Sequence, residues 1–125
     1  MKKKPITVGK MKLKLSEAQI QRQCLQYLTL KKIFHWRNNT IGIPVHVDGK
    51  FSRYRKVYKK GLPDIIYVKD GLVVAIEVKT EKGKQSPDQK KFEKDMWRAD
   101  GSYFIVRSLD DLIAVLNNFC KIKFS

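Results

Sequence analysis

The sequence predicts an α/β domain built on a mixed β-sheet with helices flanking it, and three observations carry that expectation. Two segments have the form of a helix start, Ser16-Glu17-Ala18-Gln19 and Ser86-Pro87-Asp88-Gln89. Two apolar runs meet at Asp70-Gly71, and a further run, Ser102 to Val106, follows the second helix start. Strands that alternate with helical stretches in this way bury their faces by layering helices on a sheet.

In chain order, residues 1–15 form a basic arm. Residues 1 to 14 hold six lysines, no acid and no clear apolar period, which is the composition of a solvated, flexible segment able to add phosphate contacts. The rest, 16–125, reads as one domain, because 125 residues at 42% hydrophobic suffice for one core and not for two. Ser16 and Gln19 form a capping box, and Ile20, Cys24 and Leu28 recur at helical spacing with Leu25 beside them, so a helix is expected from about 17 to 30. Ile33 to Arg37 is β-branched and aromatic and stops at the turn-forming pair Asn38-Asn39, which suits a short strand.

The stretch from about 40 to 60 is a basic insertion. Gly42, Pro44 and Gly49 break it, and Lys50, Arg53, Arg55, Lys56, Lys59 and Lys60 then alternate with Phe51, Tyr54 and Tyr58, as in a basic hairpin or loop. Asp64 to Lys69 and Leu72 to Lys79 are strands joined at Asp70-Gly71, a dipeptide favoured in tight type I′ hairpins. Ser86 as N-cap, Pro87 at the first helical position and Gln89 three residues after the cap open a helix expected from about 87 to 99. Asp100-Gly101 ends it, Ser102 to Val106 is a strand, and Ser108 caps a last helix with Leu112, Ile113 and Leu116 on its apolar face.

The charge balance restricts the partners. With 27 Lys+Arg against 12 Asp+Glu, a net +15, the chain favours polyanions, either nucleic acid or anionic lipid. Its longest apolar runs, such as Leu72 to Ile76, fall far short of the ~20 residues of a membrane span, and no signal-type stretch follows the Lys-rich start, so a cytoplasmic location is expected. Cys24 and Cys120 have neither metal-ligand spacing nor the density of a disulfide scaffold, and His35 and His46 are isolated; none is assigned a role. Trp36 and Trp97 fit core or subunit-interface packing, Trp97 on a helix that needs an apolar face.

The chemistry lies at the far end of the hairpin. A two-residue turn at 70 and 71 pairs Lys69 with Leu72, and counting outward brings Asp64 opposite Glu77. Side chains so opposed lie about 4.5–5.5 Å apart at Cβ, and two carboxylates there repel unless a cation or a proton intervenes. Glu77 and Lys79, two apart, share a face, while Leu72, Val74, Ile76 and Val78 take the other. Two carboxylates with positions left for water and phosphate suit Mg²⁺ better than Zn²⁺, and the Val78 carbonyl is a plausible extra ligand. A metal so held lowers the pKa of bound water and offsets charge on a phosphoryl group under attack, with Lys79 orienting the water.

Pro63-Asp64, twelve intervening residues and Glu77-Val78-Lys79 resemble the PD-(D/E)-x-K nuclease motif. With Glu17 on an early helix, Gly61-Leu62-Pro63-Asp64, Ile76-Glu77-Val78-Lys79-Thr80, Gly83 to Gln89, and Phe104 to Arg107 before Asp110-Asp111-Leu112, residues from roughly 16 to 116 resemble the virus-type replication-repair nuclease (VRR-NUC) family. The resemblance implies a restriction-endonuclease-like core and a site in which Asp64 and Glu77 bind Mg²⁺ or Mn²⁺. It also implies that Lys79 is catalytic, that Glu17, through a water to the metal, and Gln89 complete the site, and that the chain is a homodimeric, structure-specific DNA endonuclease of the kind that acts on four-way (Holliday) junctions in repair. No small-molecule cofactor and no membrane are implied, and a viral chain of this kind would work in a bacterial host's cytoplasm.

Plainer readings stand beside these. Asp64 after Pro63 is a common turn residue, Glu77 and Lys79 suit an exposed strand end, Glu17 suits any helix first turn, and closing its capping box is by itself a sufficient role for Gln89. Lys59, Lys60, Lys84, Lys90 and Arg107 are candidate phosphate contacts, though in so basic a chain such residues mostly form a solvated face. Two other functions compete: a non-catalytic nucleic-acid-binding domain, and a nuclease acting on RNA or on simple duplex ends.

Overall fold

The computed structural model describes residues 14–38, 43–47, 50–55 and 60–120, the two segments between 43 and 55 as backbone. The arm up to residue 13, Lys59 and the remainder of the 40–60 insertion lie outside the described residues. Among the described residues the order is α1 (Glu17–Leu30), β1 (Phe34–Arg37), β2 (Ile43–Val47), β3 (Lys50–Arg55), β4 (Ile65–Lys69), β5 (Leu72–Val78), α2 (Pro87–Arg98), β6 (Ser102–Val106) and α3 (Leu109–Asn118).

The strands form a four-stranded sheet in the order β1-β4-β5-β6 and a separate β2-β3 hairpin. β1 and β4 run antiparallel, as do β4 and β5, whereas β5 and β6 are parallel and α2 makes the crossover between them. The sheet is therefore mixed, and the basic insertion contains a hairpin. Asp70 and Gly71 both have positive φ, 52° and 79°, as a type I′ turn requires at its two central residues. That turn sets the register, with Lys69 opposite Leu72 and Ile65 opposite Ile76.

One face of the sheet holds the core. Ile65, Tyr67, Val74, Ile76, Val78 and Val106 pack there against Ile20, Cys24 and Leu28 of α1 and Leu112 and Leu116 of α3. The apolar stripe of α1 is thus the buried one, and Cys24 is a small core residue, while Cys120 is exposed. Helix α2 has the expected apolar face, but that face is only partly covered. It has no fully buried residue and docks through Phe92, whose ring lies 6.3 Å from that of Tyr103, and through Trp97, edge-on to Phe104 at 5.9 Å. Trp97 and Trp36 remain 44% and 42% exposed, so neither is a core residue.

Leu28 is fully buried at the junction of α1 with the sheet. Leu28→Ala should cost about 2–5 kcal/mol in a chemical-denaturation series, from lost burial and the cavity left behind.

Candidate active site

Register brings the two acids together. The β4-β5 ladder ends at Ile65 opposite Ile76, so the next position outward sets Asp64 against Glu77. Pro63, fully buried, precedes Asp64, and the Asp64 side chain takes over where the backbone ladder stops: its Oδ2 accepts the Val78 N–H at 2.8 Å. On the other side of β5, Lys79 N–H donates to Val106 O at 3.0 Å, so the strand end is held from both edges.

Glu77 is 3% exposed. Burial, then the charge of Asp64, pushes its carboxyl up to about 8; Lys79 opposes the shift, and Glu17 adds a smaller upward push. Its two oxygens have different surroundings. Oε1 accepts from Gln89 Nε2 at 2.9 Å and lies 3.9 Å from Lys79 Nζ. Oε2 is buried and has no hydrogen-bond partner, a costly arrangement for a carboxylate unless a cation or proton completes it.

Gln89 joins two roles that spacing alone left as alternatives. Its Oε1 accepts the Ser86 N–H at 2.8 Å and Ser86 Oγ accepts the Gln89 N–H at 3.2 Å, a complete capping box at the start of α2. The same amide turns Nε2 to Glu77, so capping fixes which end of the amide faces the acid. Gly61, at φ 77°, allows the approach: a Cβ there would sit 2.2 Å from Asp88 O and 2.9 Å from Gln89 N. Only glycine can bring the loop before Pro63 so close to the first turn of α2.

Glu17 is exposed in the first turn of α1, and its charge still acts on Glu77; among the described residues no group of three or more acids, histidines or cysteines is arranged as a metal cage. The carboxylates that could hold a metal are Asp64 and Glu77, with the Val78 carbonyl between Glu77 and Lys79 as the further donor expected from the sequence. Their chemistry, with the unpartnered Glu77 Oε2, fits a hard divalent cation that keeps several waters, as Mg²⁺ does.

The basic candidates divide. Lys60, Lys84 and Lys90 are exposed, before Gly61, ahead of α2 and in its first turn. Arg107 is turned back on its own chain, with Nη1 donating to Thr80 O at 2.5 Å, Gly83 O at 2.9 Å and Glu81 O at 3.3 Å. A cleft of about 550 Å³ opens between the start of α1 and residues 80–82, with Lys14, Lys82 and Arg107 among its lining and none of Asp64, Glu77 or Lys79. Sequence reasoning missed Asn38, which receives no more than a turn role from its dipeptide. Its Nδ2 donates to Pro63 O at 2.8 Å and its N–H to Asp64 O at 2.9 Å, clamping the segment that carries the acid. The buried, unpartnered Tyr103 hydroxyl was likewise not signalled.

A structural comparison finds the same fold in a solved chain described as a VRR_NUC domain, with a TM-score of 0.59 and 15% identity, covering 85% of this chain and all of that one. No protein-family profile and no curated protein sequence matches the chain significantly.

Between the ordinary glutamate value of 4.5 and about 8, folded Glu77 keeps a proton that the unfolded chain has lost. Stability from this group is therefore full below about 4.5 and declines as pH rises through 8. Thermal midpoints measured in EDTA should fall between about pH 5 and pH 8, and Glu77→Gln should flatten the profile. An equal slope in Glu77→Gln would place its origin elsewhere.

Proposed function

We propose that the chain is a nuclease of the VRR-NUC family, hydrolysing phosphodiester bonds in DNA with a divalent metal at Asp64 and Glu77. The observation that supports this most is the pair of opposed carboxylates, Glu77 buried and Asp64 half-buried, with Lys79 and Gln89 directed at Glu77 Oε1. A strand end that carries opposed acids is unsuited to binding an anionic backbone alone, because the carboxylates would repel it.

The chain's own groups divide the work. Asp64 is held rigid by the Val78 N–H and by the Asn38 clamp on its backbone. Glu77 keeps Oε2 for the metal while Gln89 and Lys79 occupy the Oε1 side. The Lys79 ammonium, on the same face, can orient the attacking water and stabilise charge building on the phosphoryl oxygens. A bound Mg²⁺, with Mn²⁺ a substitute, would supply the Lewis acidity and a water of lowered pKa. Lys14 and Lys82, on the cleft between the start of α1 and residues 80–82, suit the path of a phosphate backbone.

We extend the proposal to branched DNA and to a two-fold dimer, which would present two sites to symmetric strands of a junction. Exposed Phe34 and Trp36 on edge strand β1, 68% and 42% accessible with rings 5.6 Å apart, support self-association.

With labelled four-way junction and matched linear duplex, Mg²⁺ or Mn²⁺ should support cutting of the junction and EDTA should abolish it. Glu77→Ala should lose at least about a hundredfold in rate while still binding DNA. Tight binding without cutting under any metal would favour the non-catalytic domain, and cutting of RNA or duplex ends instead would redirect the substrate. Light scattering in DNA-free solution should give twice the 14.6 kDa chain mass; a value near 14.6 kDa would remove the dimer.

A further inference from the structure

We propose that Arg107 is a positioning residue for Lys79, acting through the turn at residues 80–83 rather than through contact with a nucleic-acid phosphate; its consequence for turnover rests on the nuclease reading above.

The connection can be followed atom by atom. Arg107 follows directly on β6, and its backbone N–H donates to Asp111 Oδ2 at 2.8 Å, while Asp111 N–H donates to Ser108 Oγ at 3.2 Å. The capped start of α3 therefore anchors the Arg107 backbone. From there one guanidinium nitrogen gathers the carbonyls of Thr80, Glu81 and Gly83, residues 24 to 27 positions earlier in the chain. Gly83 N–H closes the same turn onto Thr80 O at 3.0 Å.

The turn in turn supports the lysine. A Cβ placed on Gly83 would lie 3.3 Å from both Cβ and Cδ of Lys79, so the Gly83 backbone lies against the aliphatic stem of that side chain. At the strand end, Lys79 N–H is held by Val106 O, one residue before Arg107. The stem is thus held between a strand ladder and a pinned turn, and the ammonium stands 3.9 Å from Glu77 Oε1. A lysine chain has several freely rotating bonds, so a wall along its stem reduces the range over which the ammonium wanders.

A phosphate contact and a pin differ in what is lost when Arg107 is removed. Nη1 serves three acceptors of its own chain, and Nε and Nη2 are the donors a phosphate contact would have to use. Removing a phosphate contact weakens binding and flattens its salt dependence, whereas removing a pin misplaces a catalytic group and spares affinity.

The test uses the full chain and two variants, Arg107→Gln and Arg107→Lys, the second keeping the charge on a head that lacks the guanidinium's fork. Reductive methylation read by mass spectrometry follows Lys79, with exposed Lys90 as internal reference, and cleavage kinetics and DNA affinity are measured across salt. Both variants should methylate Lys79 several-fold faster relative to Lys90. Both should lower kcat by roughly tenfold, with KM and Kd within about twofold and the salt slope unchanged. An Arg107→Gln variant with normal Lys79 labelling, weaker binding and a salt slope smaller by about one would reassign Arg107 to a phosphate and overturn the proposal. Should Arg107→Gln fail to fold, Arg107→Lys decides alone: unchanged labelling overturns it. If the wild type cuts nothing, the nuclease reading fails while the labelling comparison still decides whether Arg107 positions Lys79.

Discussion

At the end of the β4-β5 hairpin, a backbone N–H that the ladder leaves open is taken by a side chain. Asp64 Oδ2 accepts from Val78 at 2.8 Å where Pro63 stops the strand, and most of the candidate site follows from that bond. It fixes the aspartate beside the end of β5, holds it opposite Glu77, and engages one of its two oxygens. Without it Asp64 would be a loop residue beside a strand end, free to move away from a neighbour that repels it. The buried Glu77, its unpartnered Oε2 and its raised pKa describe the other half of the same unresolved charge.

The surrounding elements hold this repulsive pair in place from different directions. Asn38 ties the Pro63-Asp64 backbone to β1, Gln89 reaches Glu77 from the first turn of α2, and the strand end is bonded to β6. The capping box at Ser86 has two consequences for one set of atoms, because the bond that satisfies a helix terminus also decides the orientation of the amide facing Glu77. Core packing on the opposite face supplies the rigidity. The acids are carried by strands whose other sides are sealed by α1 and α3, so the strain of opposing them is borne by the apolar cluster.

How much of this was legible in the sequence depends on the range of the interaction. The start of α1, the capped start of α2 and the type I′ turn at Asp70-Gly71 rest on residues within four positions of each other, and the structure has them where the signals fall. The opposition of Asp64 and Glu77 was legible too, since a two-residue turn propagates its register along both strands. What escaped are contacts between distant segments: Asn38 with Pro63, Gly61 with Asp88, Arg107 with Thr80. No local pattern marks them, and in a chain with a net charge of +15 an arginine facing its own carbonyls is indistinguishable from one facing a phosphate. Glu17 illustrates the converse, because its helix was foreseen while the reach of its charge to Glu77 depends on how that helix is set against the sheet.

The tight turn at Asp70-Gly71 also bears on how this domain can change over generations. A strand's side chains alternate faces, so a single residue gained or lost on one side of that turn would carry Asp64 to the core side while Glu77 stayed outside, even though the turn lies about 20 Å from the acids along the strand. The β2-β3 hairpin, in its separate sheet, is under no such parity rule with respect to the acids. Length variation should therefore be free in the basic insertion and forbidden in the hairpin, leaving the insertion as the place where a lineage can alter what the protein grips without disturbing the arrangement of its acids.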